Sequence, residues 1–157
     1  MVPGIQGIIQ LRQILARNGN KKSMKEKTEK AVFASGCFWC GEAIFEEVEG
    51  VRSVVSGYAS SAGFNRAPTY EEVSAGKTDY AEAIQIIFRP YIISYRDLLD
   101  IFLETHDPTQ LDRQGPDVGR QYRSAIFYEN EEQKEAAIES KNKLEESGLF
   151  KRPIKTQ

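Results

Sequence analysis

The sequence predicts an α+β fold, namely a ferredoxin-like β-α-β-β-α-β two-layer domain with an added C-terminal helix. Strand-like apolar runs and segments of helical periodicity follow one another in that order, and loops rich in glycine or proline separate them. The length of 157 residues, 40% of them hydrophobic, suits one domain with one core. The fold alone does not identify a function.

The first strand and the first helix meet at a glycine. Residues 31–35 are apolar or small and predict a strand, which Gly36 ends. Residues 39–49 predict a helix, because they place an apolar stripe on one face and are followed by Gly50, a typical helix stop. Cys37 is therefore expected at a junction between a strand and a helix.

Two more strands follow, divided by a polar loop. Residues 51–59 predict a strand, and residues 60–68 predict a loop that ends shortly before Tyr70. Residues 80–88 have the strongest strand pattern of the chain, a nearly continuous apolar run. Glu82 is the one acidic residue within it.

The second half of the chain predicts two helices around a loop and a strand. Ser94 and Asp97 resemble a capping box, and apolar residues recur behind them at helical spacing. Residues 106–121 contain several prolines and glycines and predict a loop, and residues 122–128 predict a short strand. Residues 130–147 predict a final helix with an asparagine cap.

Charge separates the beginning of the chain from the rest. Residues 1–30 carry seven Lys/Arg and two Glu, a net +5, whereas the remaining 14 basic and 21 acidic residues give −7. Polar residues interrupt the apolar positions of this stretch, which argues against a secretory signal, and its scarcity of serine argues against a transit peptide. We expect residues 1–30 to form a basic N-terminal arm of a cytoplasmic protein, with organellar targeting as the alternative, and residues 31–157 to form the main domain.

Composition excludes several classes of function. The net charge of −2 and the pI of about 5.6 do not suggest a nucleic-acid or membrane-surface partner. The sequence has no apolar run approaching the roughly 18 residues of a membrane span. Two cysteines and one histidine cannot supply the four ligands of a structural zinc site, so we expect no metal.

The two cysteines, Cys37 and Cys40, have C-x-x-C spacing. A helix N-terminus favours the thiolate form of a cysteine, which makes Cys37 a candidate nucleophile. Cys40 lies near enough to be its disulfide partner if the turn permits the geometry. From the spacing alone two other interpretations stay open, namely buried cysteines without chemistry and a thioredoxin-like exchanger of disulfides. The bulky Phe38 and Trp39 are unusual between the cysteines of such an exchanger.

Several short blocks of the sequence together resemble one enzyme family. They are GCFWCGE at 36–42, GY at 57–58, PTYEEV at 68–73, YAEA at 80–83, HDPT at 106–109 and DVGRQYRSAI at 117–126. In content and order these blocks resemble peptide methionine sulfoxide reductase A, over roughly residues 31–154. A series of blocks in the family's order is far more specific than a single C-x-x-C.

The resemblance implies which residues carry the reaction. Cys37 would attack the sulfoxide sulfur. Glu82 would be the general acid, which agrees with its place in an apolar strand, since burial favours a neutral carboxyl. Tyr70 and Tyr122 would hold the sulfoxide oxygen through their phenol groups.

Other residues would bind the substrate or support the site. By the same resemblance Phe38 and Trp39 would form the walls of an apolar pocket for the S-methyl group. Asp117 would lie near the substrate or the tyrosines. His106 would have a structural place rather than form a Cys-His pair.

The expected reaction is the reduction of methionine S-sulfoxide, free or in proteins, to methionine. Cys37 would become a sulfenic acid, which condenses readily with a nearby thiol, and Cys40 is the only other thiol of the chain. We hypothesise a Cys37–Cys40 disulfide that thioredoxin or another dithiol reduces, with no bound cofactor. The alternatives are a general thiol-disulfide oxidoreductase and an inactive domain that recognises oxidised methionine.

Four departures from the family pattern leave recycling, more than the first chemical step, in question. Many relatives have Cys where this chain has Ser74 and His where it has Tyr80, and they often have a distant resolving Cys near the C-terminus. Relatives also commonly continue into an aromatic, His-containing tail, whereas this chain ends at Gln157. We therefore expect a sequence that lacks the family's C-terminal tail.

Overall fold

The computed structural model describes residues 26–62 and 66–157, so most of the predicted N-terminal arm lies outside the described residues. Its elements, in chain order, are β1 Glu29–Ser35, α1 Phe38–Glu46, β2 Val51–Ala59, α2 Tyr70–Ser74, β3 Ala81–Phe88, α3 Tyr95–Glu104, β4 Arg113–Gln114, β5 Asp117–Val118, a 3-10 helix Arg120–Tyr122, β6 Ser124–Phe127 and α4 Glu131–Glu146.

One four-stranded sheet organises the domain. Its strand order is β2-β3-β1-β6, and each neighbouring pair is antiparallel. The two-residue strands β4 and β5 form a separate small ladder. The mixed α and β class predicted from the sequence is confirmed.

The helices α1, α3 and α4 pack on one face of the sheet. The core between them joins sheet residues to helix residues, and its members include Phe33, Ile84, Ile86, Phe88, Phe45, Leu98, Phe102 and Ala137. Successive strand residues point to opposite faces, so Glu82 shares the helix-covered face with Ile84, Ile86 and Phe88. The acidic residue of the third strand is therefore turned towards α1.

Most elements lie where the sequence places them, and the others need correction. The predicted loop 106–121 contains β4 and β5, and the last strand begins at Ser124 rather than at Tyr122. Tyr122 and Arg123 donate to the carbonyls of Gly119 and Arg120, which closes a 3-10 turn in place of strand pairing. The helix predicted to reach residue 49 ends at Glu46, because the chain turns before Gly50, which has φ +96°. The short helix α2 was not predicted. Thr69 caps it and exchanges hydrogen bonds with Glu72, a capping box inside what the sequence suggested was the end of a loop.

The last residues of the chain pair with the outer side of β6. The Ile126 N–H donates to the Gln157 carbonyl at 2.8 Å, and the Gln157 N–H donates to the Ser124 carbonyl at 3.0 Å. The hydroxyls of Ser124 and Thr156 lie 2.8 Å apart. These bonds attach the C-terminal segment to the sheet.

Candidate active site

Cys37 lies where β1 turns into α1. Gly36 makes the turn with φ +96°, and a Cβ at Gly36 would lie 2.7 Å from Cβ of Gln114, so only glycine fits there. Cys37 is the N-cap residue of α1, and its carbonyl accepts from the N–H groups of Cys40 and Gly41 at 3.2 and 3.4 Å. The sulfur of Cys37 is thus carried by the end of the helix at which the backbone N–H groups are free.

Glu82 is the buried acid next to this turn. It is 5% exposed, and its Oε2 accepts from the N–H of Phe38 at 3.2 Å. Burial raises the pKa of the Glu82 carboxyl, the Phe38 hydrogen bond opposes that rise, and the negative charge of Asp117 adds to it. The carboxyl therefore holds its proton to higher pH than an exposed glutamate, with one oxygen occupied by Phe38.

Tyr122 lies near Glu82, and Tyr70 from another element lies near Tyr122. Tyr122 ends the 3-10 helix and is half-buried, whereas Tyr70 is the first residue of α2 and is 54% exposed. Burial raises the pKa of Tyr122, and the nearby groups of Glu82, Asp117, Tyr70 and Cys37 raise it further. The predicted nucleophile, acid, phenols and Asp117 are thus brought together in one place.

Phe38 and Trp39 form one side of the site. Their rings lie 5.4 Å apart between centroids, and Phe38 is half-buried while Trp39 is 65% exposed. Phe38 packs against the core, but Trp39 presents most of its indole to solvent. The predicted apolar wall is therefore open on the side of Trp39.

Cys40 lies one turn further along α1 and is exposed. Burial raises the pKa of its thiol, and a hydrogen bond with Cys37 together with the charges of Cys37 and Asp117 raises it more. The Cys40 thiol therefore holds its proton to higher pH than an isolated cysteine does. Both cysteines are free thiols.

Tyr58 is a site residue that the sequence prediction missed. It faces Glu82 across the β2–β3 ladder, and its ring lies 5.6 Å from that of Phe38. The GY block at 57–58 contributed to the family resemblance, but no role was assigned to it. Its position depends on the pairing of β2 with β3, which local patterns do not reveal.

The first turn of α1 is also fixed to β2, through Ser56. The Ser56 hydroxyl contacts the carboxylate of Glu42 and lies 3.4 Å from the carbonyl oxygen of Phe38. Ser56 and Tyr58 lie on the same face of β2, two residues apart. This attachment keeps the Cys37 turn close to Glu82.

Arg123 connects the tyrosine segment to the start of β3. It is 3% exposed, and its guanidinium donates to the carbonyls of Arg120 at 2.9 Å and Asp79 at 2.8 Å. Arg120 lies in the same short helix as Tyr122, and Asp79 precedes Glu82 by three residues. The buried arginine thus joins the elements that carry the phenol and the acid.

His106 takes a structural place, as the resemblance implied. Its Nδ1 lies 2.6 Å from the Phe102 carbonyl oxygen and its Nε2 lies 2.6 Å from the Ser124 hydroxyl. Burial lowers the pKa of His106 to about 4. Since a carbonyl can only accept, Nδ1 carries the proton, and the neutral ring accepts from Ser124.

The described part of the chain has neither a cluster of metal ligands nor a membrane-spanning helix. Within residues 26–62 and 66–157, no group of three or more His, Cys, Asp or Glu side chains is arranged to hold a metal ion. No helix in the same ranges is long and apolar enough to cross a membrane.

Comparison with known proteins places this site in a family. Residues 29–157 match the family model described as peptide methionine sulfoxide reductase. The peptide methionine sulfoxide reductase MsrA of Methanosarcina acetivorans is 54% identical over 132 residues, which cover 84% of this chain and 69% of that protein.

Solved structures agree with the sequence match. Methionine sulfoxide reductase A of Corynebacterium diphtheriae has a TM-score of 0.70 and 32% identity, covering 86% of this chain and 65% of that one. Reduced Mxr1 of Saccharomyces cerevisiae has a TM-score of 0.74 and 29% identity, covering 86% of this chain and 77% of that one. Mxr1 has also been solved in complex with Trx2, a structure that shares the fold with this chain at 22% identity and a TM-score of 0.55.

The chain spans about two thirds of the length of its relatives, from 62 to 69% of the two archaeal proteins that share 54% identity with it. Because the family model and its relatives match it over most of its length, this chain belongs to the peptide methionine sulfoxide reductase family.

Proposed function

We propose that this chain reduces methionine S-sulfoxide to methionine, with Cys37 as the nucleophile and Glu82 as the acid. The observation that carries the proposal is the hydrogen bond of 3.2 Å from the Phe38 N–H to Glu82. Phe38 follows Cys37 directly, so the bond holds a buried carboxyl beside the backbone of the thiol residue. A nucleophile beside a protonated acid is what cleavage of a sulfoxide S=O bond needs.

In the first step the Cys37 thiolate attacks the sulfoxide sulfur while Glu82 donates its proton to the oxygen. Oε2 accepts from Phe38, so the proton is carried by Oε1. The attack joins the Cys37 sulfur to the methionine sulfur, and both this S–S bond and the methionine S–O bond then break as the hydroxyl passes to Cys37, which becomes a sulfenic acid and loses two electrons. The methionine sulfur gains those two electrons and leaves as the thioether.

The phenol groups and the aromatic wall orient the substrate in this step. Tyr122 lies close to Glu82 and Tyr70 lies close to Tyr122, and their hydroxyl groups donate to the sulfoxide oxygen as negative charge develops on it. Phe38 and Trp39 contact the S-methyl group, and the charge of Asp117 adds to the effect of burial, which raises the pKa of Glu82. The exposed ring of Trp39 leaves room for a methionine within a peptide.

In the second step the thiol of Cys40 attacks the sulfur of the Cys37 sulfenic acid. A Cys37–Cys40 disulfide forms and water leaves. The contact between the two side chains supports this pairing. Thioredoxin then reduces the disulfide by thiol exchange at the exposed Cys40, and the Mxr1 complex with Trx2 makes it the first reductant to test.

Three further proposals accompany the reaction. The sheet order β2-β3-β1-β6 with antiparallel neighbours supports the ferredoxin-like β-α-β-β-α-β arrangement, to which α4 is added. The predicted boundary at residue 30 is two residues too late, because β1 begins at Glu29 and pairs with β3, so residues 1–28 form the arm outside the catalytic domain. No bound cofactor takes part, and a cycle that ends in free thiols suits a reducing compartment such as the cytoplasm.

Counting thiols after a single turnover tests the mechanism. The reduced protein is mixed with one equivalent of a methionine S-sulfoxide peptide and no other reductant. We expect one methionine formed and two thiols lost, whereas a general disulfide exchanger would leave both thiols and the sulfoxide unchanged. In Cys40→Ser one thiol should be lost with the same burst of methionine, and the R epimer serves as the unreactive control. Unchanged thiols in the wild-type protein would refute the mechanism.

A further inference from the structure

Tyr58 stands directly opposite Glu82 in the sheet. The two residues are register partners in the antiparallel ladder of β2 with β3, so their side chains leave the sheet on the same face. That face is the one covered by α1. Side chains of directly opposed residues begin about 5 Å apart, which puts the phenol ring alongside the carboxyl.

The ring of Tyr58 also contacts the side chain of Phe38, the residue whose backbone N–H bonds to Glu82. Its centroid lies 5.6 Å from that of Phe38, at an interplanar angle of 39°. Phe38 donates its N–H to the Glu82 carboxylate. Tyr58 and Phe38 therefore flank the carboxyl from two directions, and β2 is the outermost strand on that side of the sheet.

We propose that Tyr58 is a positioning residue for the acid, whose ring closes the β2 side of the Glu82 carboxyl against water and keeps its proton in place. This inference deepens the proposed function and rests on Glu82 as the proton donor. The ring, rather than the hydroxyl, performs the task, because an apolar surface against a carboxyl disfavours the charged form.

The surroundings of Glu82 support a role for desolvation at this point. The charged and titratable groups that face it are Tyr58 from β2, Asp117 from β5 and Tyr122 from the 3-10 helix. Tyr70 from α2 and Cys37 from the junction before α1 lie next to Tyr122. Asp117 is half-buried and gives only part of the effect on the pKa of Glu82, for which burial is the largest cause. Tyr58 itself stays protonated, since burial and Glu82 raise its pKa.

Infrared titration of Glu82 in the reduced protein tests the inference without any substrate. The carboxylic C=O band of Glu82 is identified by its absence in Glu82→Gln, and its loss is followed as pH rises. In Tyr58→Ala we expect the midpoint to fall by about one pH unit, whereas Tyr58→Phe, which keeps the ring, should stay within about 0.3 unit of the wild type. Tyr58→Val is the second small variant, because a β-branched residue suits a strand but is too short to cover the carboxyl.

The decrease of the single-turnover rate at alkaline pH is the kinetic measure of the same titration of Glu82. It should move to lower pH in Tyr58→Ala and Tyr58→Val and stay in place in Tyr58→Phe. The control is Tyr128→Ala, an exposed tyrosine at the end of β6 whose loss should leave both readouts unchanged. Unchanged midpoints in folded Tyr58→Ala and Tyr58→Val, or an equal fall in Tyr58→Phe, would overturn the inference. A shifted infrared midpoint in a protein that reduces no sulfoxide would instead refute the proposed function and leave the inference standing.

Discussion

At the scale of single residues, two buried titratable groups of this chain serve opposite purposes. Glu82 is buried with one backbone bond to an oxygen and a free second oxygen, which suits a group that must give up a proton. His106 is buried with both ring nitrogens bonded, which suits a group that must not change its charge. The hydrogen-bond partners, more than burial itself, separate the reactive residue from the structural one.

Glu82→Gln should slow the reductive step by about 10²- to 10⁴-fold, the usual contribution of a general acid. The amide keeps the size of the side chain and can still accept from the Phe38 N–H, but it has no proton to give. Rapid-quench measurement of methionine formed per enzyme is the assay, and alkylation of Cys37 should continue. Glu104→Gln, at the exposed end of α3, is the matched control. Turnover near the wild-type rate in Glu82→Gln would remove Glu82 as the acid.

His106 should make the folded protein less stable as pH falls from about 6.5 to about 4. Its pKa is lowered in the folded state, so the unfolded chain binds the proton first and stability rises with pH across this window. At pH about 4.5 this effect lowers the free energy of unfolding by on the order of 2–3 kcal/mol relative to neutral pH. Glu82 acts in the opposite direction because its pKa is raised, so the difference between wild type and His106→Gln isolates the histidine.

Urea unfolding of both proteins between pH about 4.5 and 7.5 measures that difference. His106→Gln should be less stable than the wild type at pH 7.5, because a buried hydrogen-bond partner is changed, and the gap should narrow as pH falls. Parallel pH dependences in the two proteins would show that His106 is not the titrating group.

At the scale of elements, the turn between β1 and α1 determines where the nucleophile lies. Gly36 takes a conformation that other residues rarely adopt and packs against the side chain of Gln114. That side chain is itself held by two hydrogen bonds to the backbone of Asp107, at 3.0 and 3.1 Å. The loop after α3 therefore holds the Gln114 side chain in place, and Gln114 packs against the turn that carries Cys37.

Gly36→Ala should destabilise the protein by roughly 2 kcal/mol and lower the single-turnover rate, because the new Cβ meets Gln114 and the positive φ is strained. Thermal unfolding and the methionine burst are the measurements. Gly57→Ala is the matched control in β2, where a Cβ would have no neighbour within 4 Å. Equal stabilities of the two variants would contradict the steric account.

At the scale of the whole molecule, the sequence predicted the helices and strands better than the contacts between them. Local periodicity and caps located β1, β3, α3 and α4, because those signals act within a few residues. The resemblance brought Cys37, Glu82, Tyr70 and Tyr122 together, and the structure shows them as neighbours. Tyr58 and Arg123 escaped prediction, because their roles arise from strand register and from contacts 44 residues apart in the chain.

Removal of residues 1–25 tests the proposal that the beginning of the chain is an arm. All strands and helices in the described ranges begin at Glu29 or later, so we expect the free energy of unfolding to change by less than about 0.5 kcal/mol. The control removes residues 1–28 and with them Glu26, which pairs with Arg52 and Arg89. This longer deletion should cost slightly more, because exposed ion pairs contribute little. A large loss from the shorter deletion would contradict the proposal.

The pairing of Gln157 with β6 has a consequence for self-association. A bare edge strand offers unpaired N–H and C=O groups to the edge of another molecule, and chains that join in this way can grow into fibrils. The two bonds between Gln157 and β6 occupy part of one edge of the sheet. Deletion of residues 155–157 would uncover that edge, so the shortened chain should aggregate sooner on mild heating than the chain that keeps them.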